Sequence, residues 1–127
     1  MIIRKFSLLS RLNSFKYAFE GVIMMIKNEH NSRIHLFAAS LAILLGIFLN
    51  LNAIEWSLVV IIIGLVFIAE LFNSTVERIA DMIDLEINVK IKYIKDLAAA
   101  GVLISAIISV IVGGIIFIPK LIELIKK

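Results

Sequence analysis

The sequence has no cysteine, a single proline and few charged residues for its size. Of its 127 residues, 18% are charged and 61% are hydrophobic, against about 45–50% hydrophobic residues in soluble domains. The lack of cysteine excludes disulfides, thiolate metal sites and cysteine nucleophiles. No G-x-x-x-x-G-K-[ST] loop is present, which excludes a P-loop nucleotide site. The sequence contains no basic run with interleaved aromatic residues, the pattern that would predict binding to nucleic acid.

Long apolar segments occupy most of the chain, and its mean hydropathy is +1.06. Three of these segments approach the length of about 20 residues that a bilayer span requires. They are residues 34–52, residues 54–84 with a polar cytoplasmic extension, and residues 97–119. With no repeat and no second domain, the sequence predicts one all-α membrane domain over residues 1–127.

Basic residues are unevenly distributed around these segments. Residues 1–28 alternate basic and apolar side chains, which predicts an amphipathic helix in the membrane interface. Ten of the thirteen Lys and Arg residues precede the first span or lie between the second and third. By the positive-inside rule, the protein is expected to cross the membrane three times, with its N-terminus and the segment between the second and third spans cytoplasmic.

Glu70 follows a run of apolar residues, Trp56 to Ala69, that only Ser57 interrupts. An ionisable group at membrane depth is costly and usually faces a bundle interior or a watery cavity. At 100° per residue, six polar positions fall within an arc of about 100°. They are Glu70, Asn73, Ser74, Glu77, Asp81 and Asp84. This polar face is therefore the candidate functional site.

Glu70 and Glu77 are two helical turns apart, about 10 Å, which favours two separate roles. Glu77, nearer water, suits Mg²⁺, which binds one or two carboxylates together with substrate phosphates. Apolar neighbours of Glu70 disfavour its charged form and make it a stronger base for a lipid hydroxyl. Asn73 and Ser74 are in reach to orient either carboxylate. Two other interpretations stay open: polar contacts that only hold helices together, and a non-enzymatic ion or proton relay.

Other polar residues near the predicted membrane surface have ordinary interpretations. Glu29 and Asp96 precede spans, as acidic partners of helix N-termini commonly do. Lys95 is either a phosphate contact or a membrane anchor. His30 and His35 match no zinc pattern with carboxylates and are interpreted as packing or interface residues.

The stretch from Glu70 to Asp81, Glu-Leu-Phe-Asn-Ser-Thr-Val-Glu-Arg-Ile-Ala-Asp, resembles a known signature. This is the E-x-x-N-[ST]-[AT]-[IV]-E-x-x-x-D motif of the small prokaryotic diacylglycerol kinase and undecaprenol kinase family. Asn28-Glu29 with Arg33, and the stretch from residue 95 to residue 103, are similar to two further hallmarks of that family. Residues 14–21 are similar to its surface helix, so the resemblance covers nearly the whole chain.

The resemblance implies a homotrimeric membrane lipid kinase that has three transmembrane helices per subunit and an amphipathic N-terminal helix. It implies transfer of phosphate from ATP, with Mg²⁺, to a primary lipid hydroxyl at the cytoplasmic interface. In this family pattern Glu70 is the general base and Asn73 supports it, while Glu29 and Glu77 hold the metal. The implied nucleotide-binding residues are Arg11, Tyr17, Glu29, Glu77, Glu86, Lys95 and Asp96.

The lipid acceptor is the least determined of these expectations. Residues 29–35 and the alanine-rich run after Asp96 resemble the undecaprenol kinase branch more closely. This favours undecaprenol, with undecaprenyl phosphate as product. Diacylglycerol, with phosphatidic acid as product, is the alternative. Both lipids carry one primary hydroxyl at the interface, and no residue pattern physically separates them.

Overall fold

The computed structural model describes residues 8–83 and 88–126, and the regular structure in these ranges is entirely α-helical. The helices are α1 (Leu8–Asn28), α2 (His30–Phe48), α3 (Ala53–Ile83) and α4 (Val89–Ile125). Helices α2, α3 and α4 are long and apolar enough to cross a membrane. The predicted all-α fold with three such helices is confirmed, while the homotrimer stays a prediction. Residues 1–7 of the predicted surface helix, together with Asp84 and Glu86, lie outside the described residues.

Helices α1 and α2 are separated only by Glu29, whose extended backbone breaks the helical path. The last carbonyls of a helix lack partners within that helix and need external donors. Arg33, in the first turn of α2, supplies two such donors. Its Nε donates to the Ile26 carbonyl at 3.2 Å and its Nη2 donates to the Lys27 carbonyl at 2.8 Å. One guanidinium thus holds the end of α1 against the start of α2.

The turn between α2 and α3 satisfies both helix ends locally. Asn50 adopts a φ of 51°, and the Leu51 amide donates to the Gly46 carbonyl at 3.1 Å, as in a Schellman motif. Asn52 then caps α3, since its side chain accepts from the amides of Ile54 and Glu55. The Glu55 carboxylate accepts from the Asn52 amide at 2.7 Å, which completes a capping box. The turn therefore reverses the chain within four residues.

Helices α3 and α4 form the closest packed pair, and α2 and α1 pack against α3 less extensively. A small core of Leu51, Val59 and Ile116 lies near the α2–α3 turn. At the same end, Lys120 Nζ of α4 lies 3.1 Å from Glu55 Oε2 of α3, with both side chains about three-quarters buried. Many large apolar side chains elsewhere face outward, as expected of helices that lipid surrounds.

The three candidate spans differ strongly in length. At 1.5 Å per residue, the 19 residues of α2 reach about 28 Å, close to the hydrocarbon thickness of about 30 Å. The 31 residues of α3 and the 37 of α4 reach about 46 and 55 Å. Since only α2 matches the bilayer, α3 and α4 must tilt or extend beyond it.

Gly46 is where α2 approaches Trp56 most closely, and a Cβ there would lie 2.8 Å from the indole Cη2 atom. We expect Gly46→Ala to lower the thermal midpoint of the purified protein because the rigid ring must move. Gly114→Ala is the matched control, since its Cβ would meet only Ile118 Cδ1 at 3.6 Å. At position 114 the change from glycine to alanine raises helix propensity by about 1 kcal/mol, and no steric clash offsets this gain. Equal midpoints for the two variants would contradict the close packing of Gly46 on Trp56.

Candidate active site

Glu70 lies in the middle of α3, and its side chain is buried between helices with only 2% of the residue exposed. Its one hydrogen bond among the described residues comes from α2, where Ser32 Oγ donates to Glu70 Oε1 at 3.3 Å. Ser32 itself is fully buried. The second carboxylate oxygen, Oε2, is buried without a partner in the described part of the chain. A buried carboxylate oxygen without a donor is costly, so this atom is a candidate for contact with a substrate.

Asn73 and Glu77 continue the same face of α3 toward the end of the helix. Asn73 Nδ2 donates to Glu77 Oε1 at 3.2 Å, which orients that carboxylate. Asn73 Oδ1 and Ser74 Oγ are buried, and no partner for them occurs among residues 8–83 and 88–126. Native proteins rarely leave buried polar atoms unsatisfied. Together with Glu70 Oε2 these atoms form a set that a polar ligand or water could complete.

A cavity of about 320 Å³, here named the polar cavity, lies between α2, α3 and α4. From α3 it is lined by Glu70, Asn73 and Glu77. The lining from the other two helices consists of Asn31, Ile34, His35, Ala99, Val102, Leu103 and Ala106. The structure thus brings together the three α3 residues on which the sequence interpretation rests.

Glu29 lies at the α1–α2 break, directly before the first residue of α2. Its Oε1 atom lies 3.7 Å from Nη2 of Arg78. Among the described residues, no group of three or more His, Cys, Asp or Glu side chains could hold a metal ion. Two carboxylates alone still fit Mg²⁺ if phosphate oxygens complete its octahedral coordination. The acidic groups present therefore fit a metal that arrives with a nucleotide.

Lys95 and Asp96 lie at the start of α4, and both are engaged in ion pairs. Lys95 Nζ lies 2.9 Å from Asp81 Oδ1, which joins α4 to the polar face of α3. Asp96 Oδ2 lies 2.6 Å from Lys92 Nζ within α4. Neither Lys95 nor Asp96 lines the polar cavity. Exposed pairs of this kind contribute about 1 kcal/mol or less, so they can exchange partners with an incoming phosphate.

The two predicted nucleotide contacts on α1, Arg11 and Tyr17, are exposed and also lie outside the lining of the polar cavity. The predicted contact Glu86 falls in the segment 84–87, outside the described residues. Within one chain, the polar cavity therefore brings together Glu70, Asn73 and Glu77, while Glu29, Lys95, Asp96 and the predicted contacts from α1 lie outside its lining.

Two α2 residues at the site, Ser32 and His35, have no role in the sequence interpretation. Ser32 holds Glu70, and His35, interpreted as a packing residue, lines the polar cavity. The spacing of these two residues in the sequence could have indicated that they belong to the site. Polar residues at positions 32 and 35 share one helical face at the start of an otherwise apolar helix.

Comparison with known proteins decides the family. The family described as "Prokaryotic diacylglycerol kinase" has a sequence model that matches residues 16–117 of this chain. The chain belongs to the prokaryotic diacylglycerol kinase family. It is thus a member of a lipid kinase family, and the match includes Glu29, the polar face of α3 and the start of α4.

Relatives within the prokaryotic diacylglycerol kinase family carry two different names. The chain is 36% identical over 108 residues to the undecaprenol kinase of Bacillus subtilis, covering 85% of this chain and 88% of that protein. It is 37% identical over 114 residues to a diacylglycerol kinase of Synechocystis, covering 89% of this chain and 65% of that protein. It is 33% identical over 95 residues to the diacylglycerol kinase of Escherichia coli K12, covering 75% and 78%. The sequence identities alone therefore do not show whether the chain is more similar to undecaprenol kinases or to diacylglycerol kinases.

The bond from Ser32 to Glu70 predicts a specific stability effect. We expect Ser32→Ala to lower the free energy of unfolding by about 1–3 kcal/mol, because it leaves a buried acceptor unsatisfied. In a Glu70→Leu background no carboxylate is present to lose its donor, so Ser32→Ala should lower the free energy of unfolding much less. Unfolding of all four proteins in mixed detergent micelles gives the coupling between the two sites. Equal costs in both backgrounds would show that the hydrogen bond contributes nothing.

Proposed function

We propose that this protein transfers the γ-phosphoryl group of ATP to the primary hydroxyl of a membrane lipid alcohol, with Mg²⁺ as cofactor. The acceptor that we propose is undecaprenol, and diacylglycerol is the second candidate. Family membership favours this reaction over an ion relay or a purely structural use of the polar face. The observation that carries the proposal is the buried Glu70 carboxylate, whose Oε2 atom lacks a partner among the described residues beside the polar cavity.

In the proposed reaction Glu70 acts as the general base. The lipid hydroxyl donates its hydrogen bond to Glu70 Oε2 and transfers that proton as its oxygen attacks the γ-phosphorus. A new phosphorus–oxygen bond forms to the lipid, and the bond from the γ-phosphorus to the β-phosphate oxygen breaks, which releases ADP. Ser32 holds Oε1 of the same carboxylate. The base is therefore oriented before the substrate arrives, which lowers the barrier through positioning.

The nucleotide and its metal would bind at the water-facing end of the polar face. Bound Mg²⁺ supplies neutralisation of the phosphate charges, and the residues that would hold it are Glu29 and Glu77. The Asn73 amide donates to Glu77, so the carboxylate keeps one orientation. Lys95 and Asp96 would release their present ion-pair partners to contact the nucleotide.

Assembly and orientation are part of the same proposal. Arg11 and Tyr17 are exposed on α1, which suits contact with a nucleotide bound to a neighbouring subunit of a homotrimer. The distribution of Lys and Arg favours a site on the cytoplasmic side of the bacterial inner membrane, where ATP is available. Undecaprenol is favoured over diacylglycerol by residues 29–35, which resemble the undecaprenol kinase branch.

The role of Glu70 is tested by a lipid kinase assay with ATP, Mg²⁺ and the two acceptors side by side. Glu70→Gln keeps an oxygen that accepts from Ser32 but removes the base. We expect it to lower kcat by about 10²- to 10⁴-fold, the usual contribution of general base catalysis. The preferred acceptor is the lipid with the higher kcat/KM in the wild-type protein.

Glu123→Gln is the matched control for this substitution, because Glu123 is exposed near the end of α4 and should tolerate the change. Wild-type turnover in a folded Glu70→Gln variant would remove Glu70 from the base role. A wild-type protein that phosphorylates neither acceptor would refute the proposed function as a whole.

The proposed metal ligands predict a change in magnesium requirement. Glu77→Gln retains an oxygen that accepts from Asn73 Nδ2, so the main change is the loss of charge. We expect the Mg²⁺ concentration for half-maximal activity to rise by about 10- to 100-fold, with activity recovering at high Mg²⁺. A magnesium titration of the wild type, Glu77→Gln and Glu123→Gln measures this. An unchanged titration curve for Glu77→Gln would place the metal elsewhere.

A further inference from the structure

His35 lies where two cavities of the helix bundle meet. It is half-buried on α2, one turn beyond Ser32, and it lines the polar cavity. It also lines a second cavity of about 250 Å³ between the same three helices, here named the apolar cavity. His35 and Ala106 are common to both linings, so the two cavities adjoin at this pair of residues.

The apolar cavity has the shape and chemistry of a site for a hydrocarbon chain. Its α4 lining runs from Ala106 to Phe117, about 16 Å along the helix axis. Small residues line its α2 side, and the rest of its wall is largely Val, Ile and Phe. Because it continues from the cavity that holds Glu70, a lipid alcohol could lie with its tail here and its hydroxyl in the polar cavity.

We propose that His35 binds the hydroxyl oxygen of the lipid acceptor at the junction of the two cavities and directs its proton toward Glu70. This inference rests on the proposed function and adds a residue that contacts the acceptor. The apolar cavity holds the tail by hydrophobic burial, which is not directional. A directional contact at the junction, such as a hydrogen bond, must therefore orient the hydroxyl.

The hydrogen-bonding capacities of the three groups match. A hydroxyl has one donor and two acceptor lone pairs. It donates to Glu70 Oε2, accepts from an imidazole N–H with one lone pair, and keeps the other for attack on phosphorus. His35 and Glu70 line the same polar cavity, so a hydroxyl bound in that cavity lies between the two side chains. Imidazole carries an N–H in its neutral and in its charged form, and the arrangement holds in either.

Two neighbouring hydroxyl groups, those of Ser32 and Ser109, already donate to other acceptors. Ser32 Oγ donates to Glu70 Oε1. Ser109 lines the apolar cavity, but its hydroxyl faces the carbonyl of Ser105 at 2.9 Å and that of Ile62 at 3.5 Å. Of the polar residues that line the polar cavity, His35 is the one that also lines the apolar cavity, which assigns the acceptor contact to it.

The test compares His35→Met with His35→Gln, two side chains of similar length of which only glutamine keeps an N–H donor. His30→Met is the matched control, since His30 is exposed at the start of the same helix and lines neither cavity. We expect His35→Met to lower kcat/KM for the lipid acceptor by about 10- to 100-fold through lost positioning. His35→Gln should recover most of this loss, and KM for ATP should be unchanged in both.

Several outcomes would overturn the role of His35 while leaving the lipid kinase reaction intact. These are full lipid kcat/KM in His35→Met, equal losses toward lipid and ATP, or a folded His35→Gln that is as impaired as His35→Met. Circular dichroism melting establishes that each variant is folded. If His35→Met does not fold, His35→Gln decides, because a folded variant with an N–H donor must retain activity. A wild type inactive toward every lipid alcohol refutes the proposed function instead.

Discussion

The contact between Ser32 on α2 and Glu70 on α3 is the interaction on which the site depends. α2 packs less extensively on α3 than α4 does, and the hydrogen bond at 3.3 Å from Ser32 to Glu70 is a buried polar contact between these two helices. The packing of α2 on α3 forms the wall that α2 contributes to both cavities. An unpaired charge buried between helices is costly. Glu70 Oε2 has no partner among the described residues, which is consistent with a functional role for this atom.

Much of the fold could be predicted because it depends on local properties. Apolar length predicts the three candidate spans, and helical periodicity brings Glu70, Asn73 and Glu77 to one face, since all three belong to one helix. The family signature lies on the same face. These features require no knowledge of how separate helices pack against each other.

The contribution of α2 to the site could not be predicted in the same way. Ser32 and Glu70 are 38 residues apart, and their contact exists only when α2 has docked on α3. His35 shares a helical face with Ser32, but the junction that it lines is created by three helices together. The donation from Arg33 to the last carbonyls of α1 likewise depends on the break at Glu29.

The short length of α2 has a consequence for which alcohols the site can accept. Because the length of α2 nearly equals the hydrocarbon thickness, its first residue, His30, would lie near one boundary of the hydrocarbon layer if α2 crosses the bilayer. Ser32 and His35 lie about 3 and 8 Å along the axis from that boundary. In the proposed reaction, the lipid hydroxyl would therefore have to enter the membrane only slightly below the headgroups to meet Glu70. The depth of the hydroxyl in the bilayer would then select acceptors in addition to the shape of the tail.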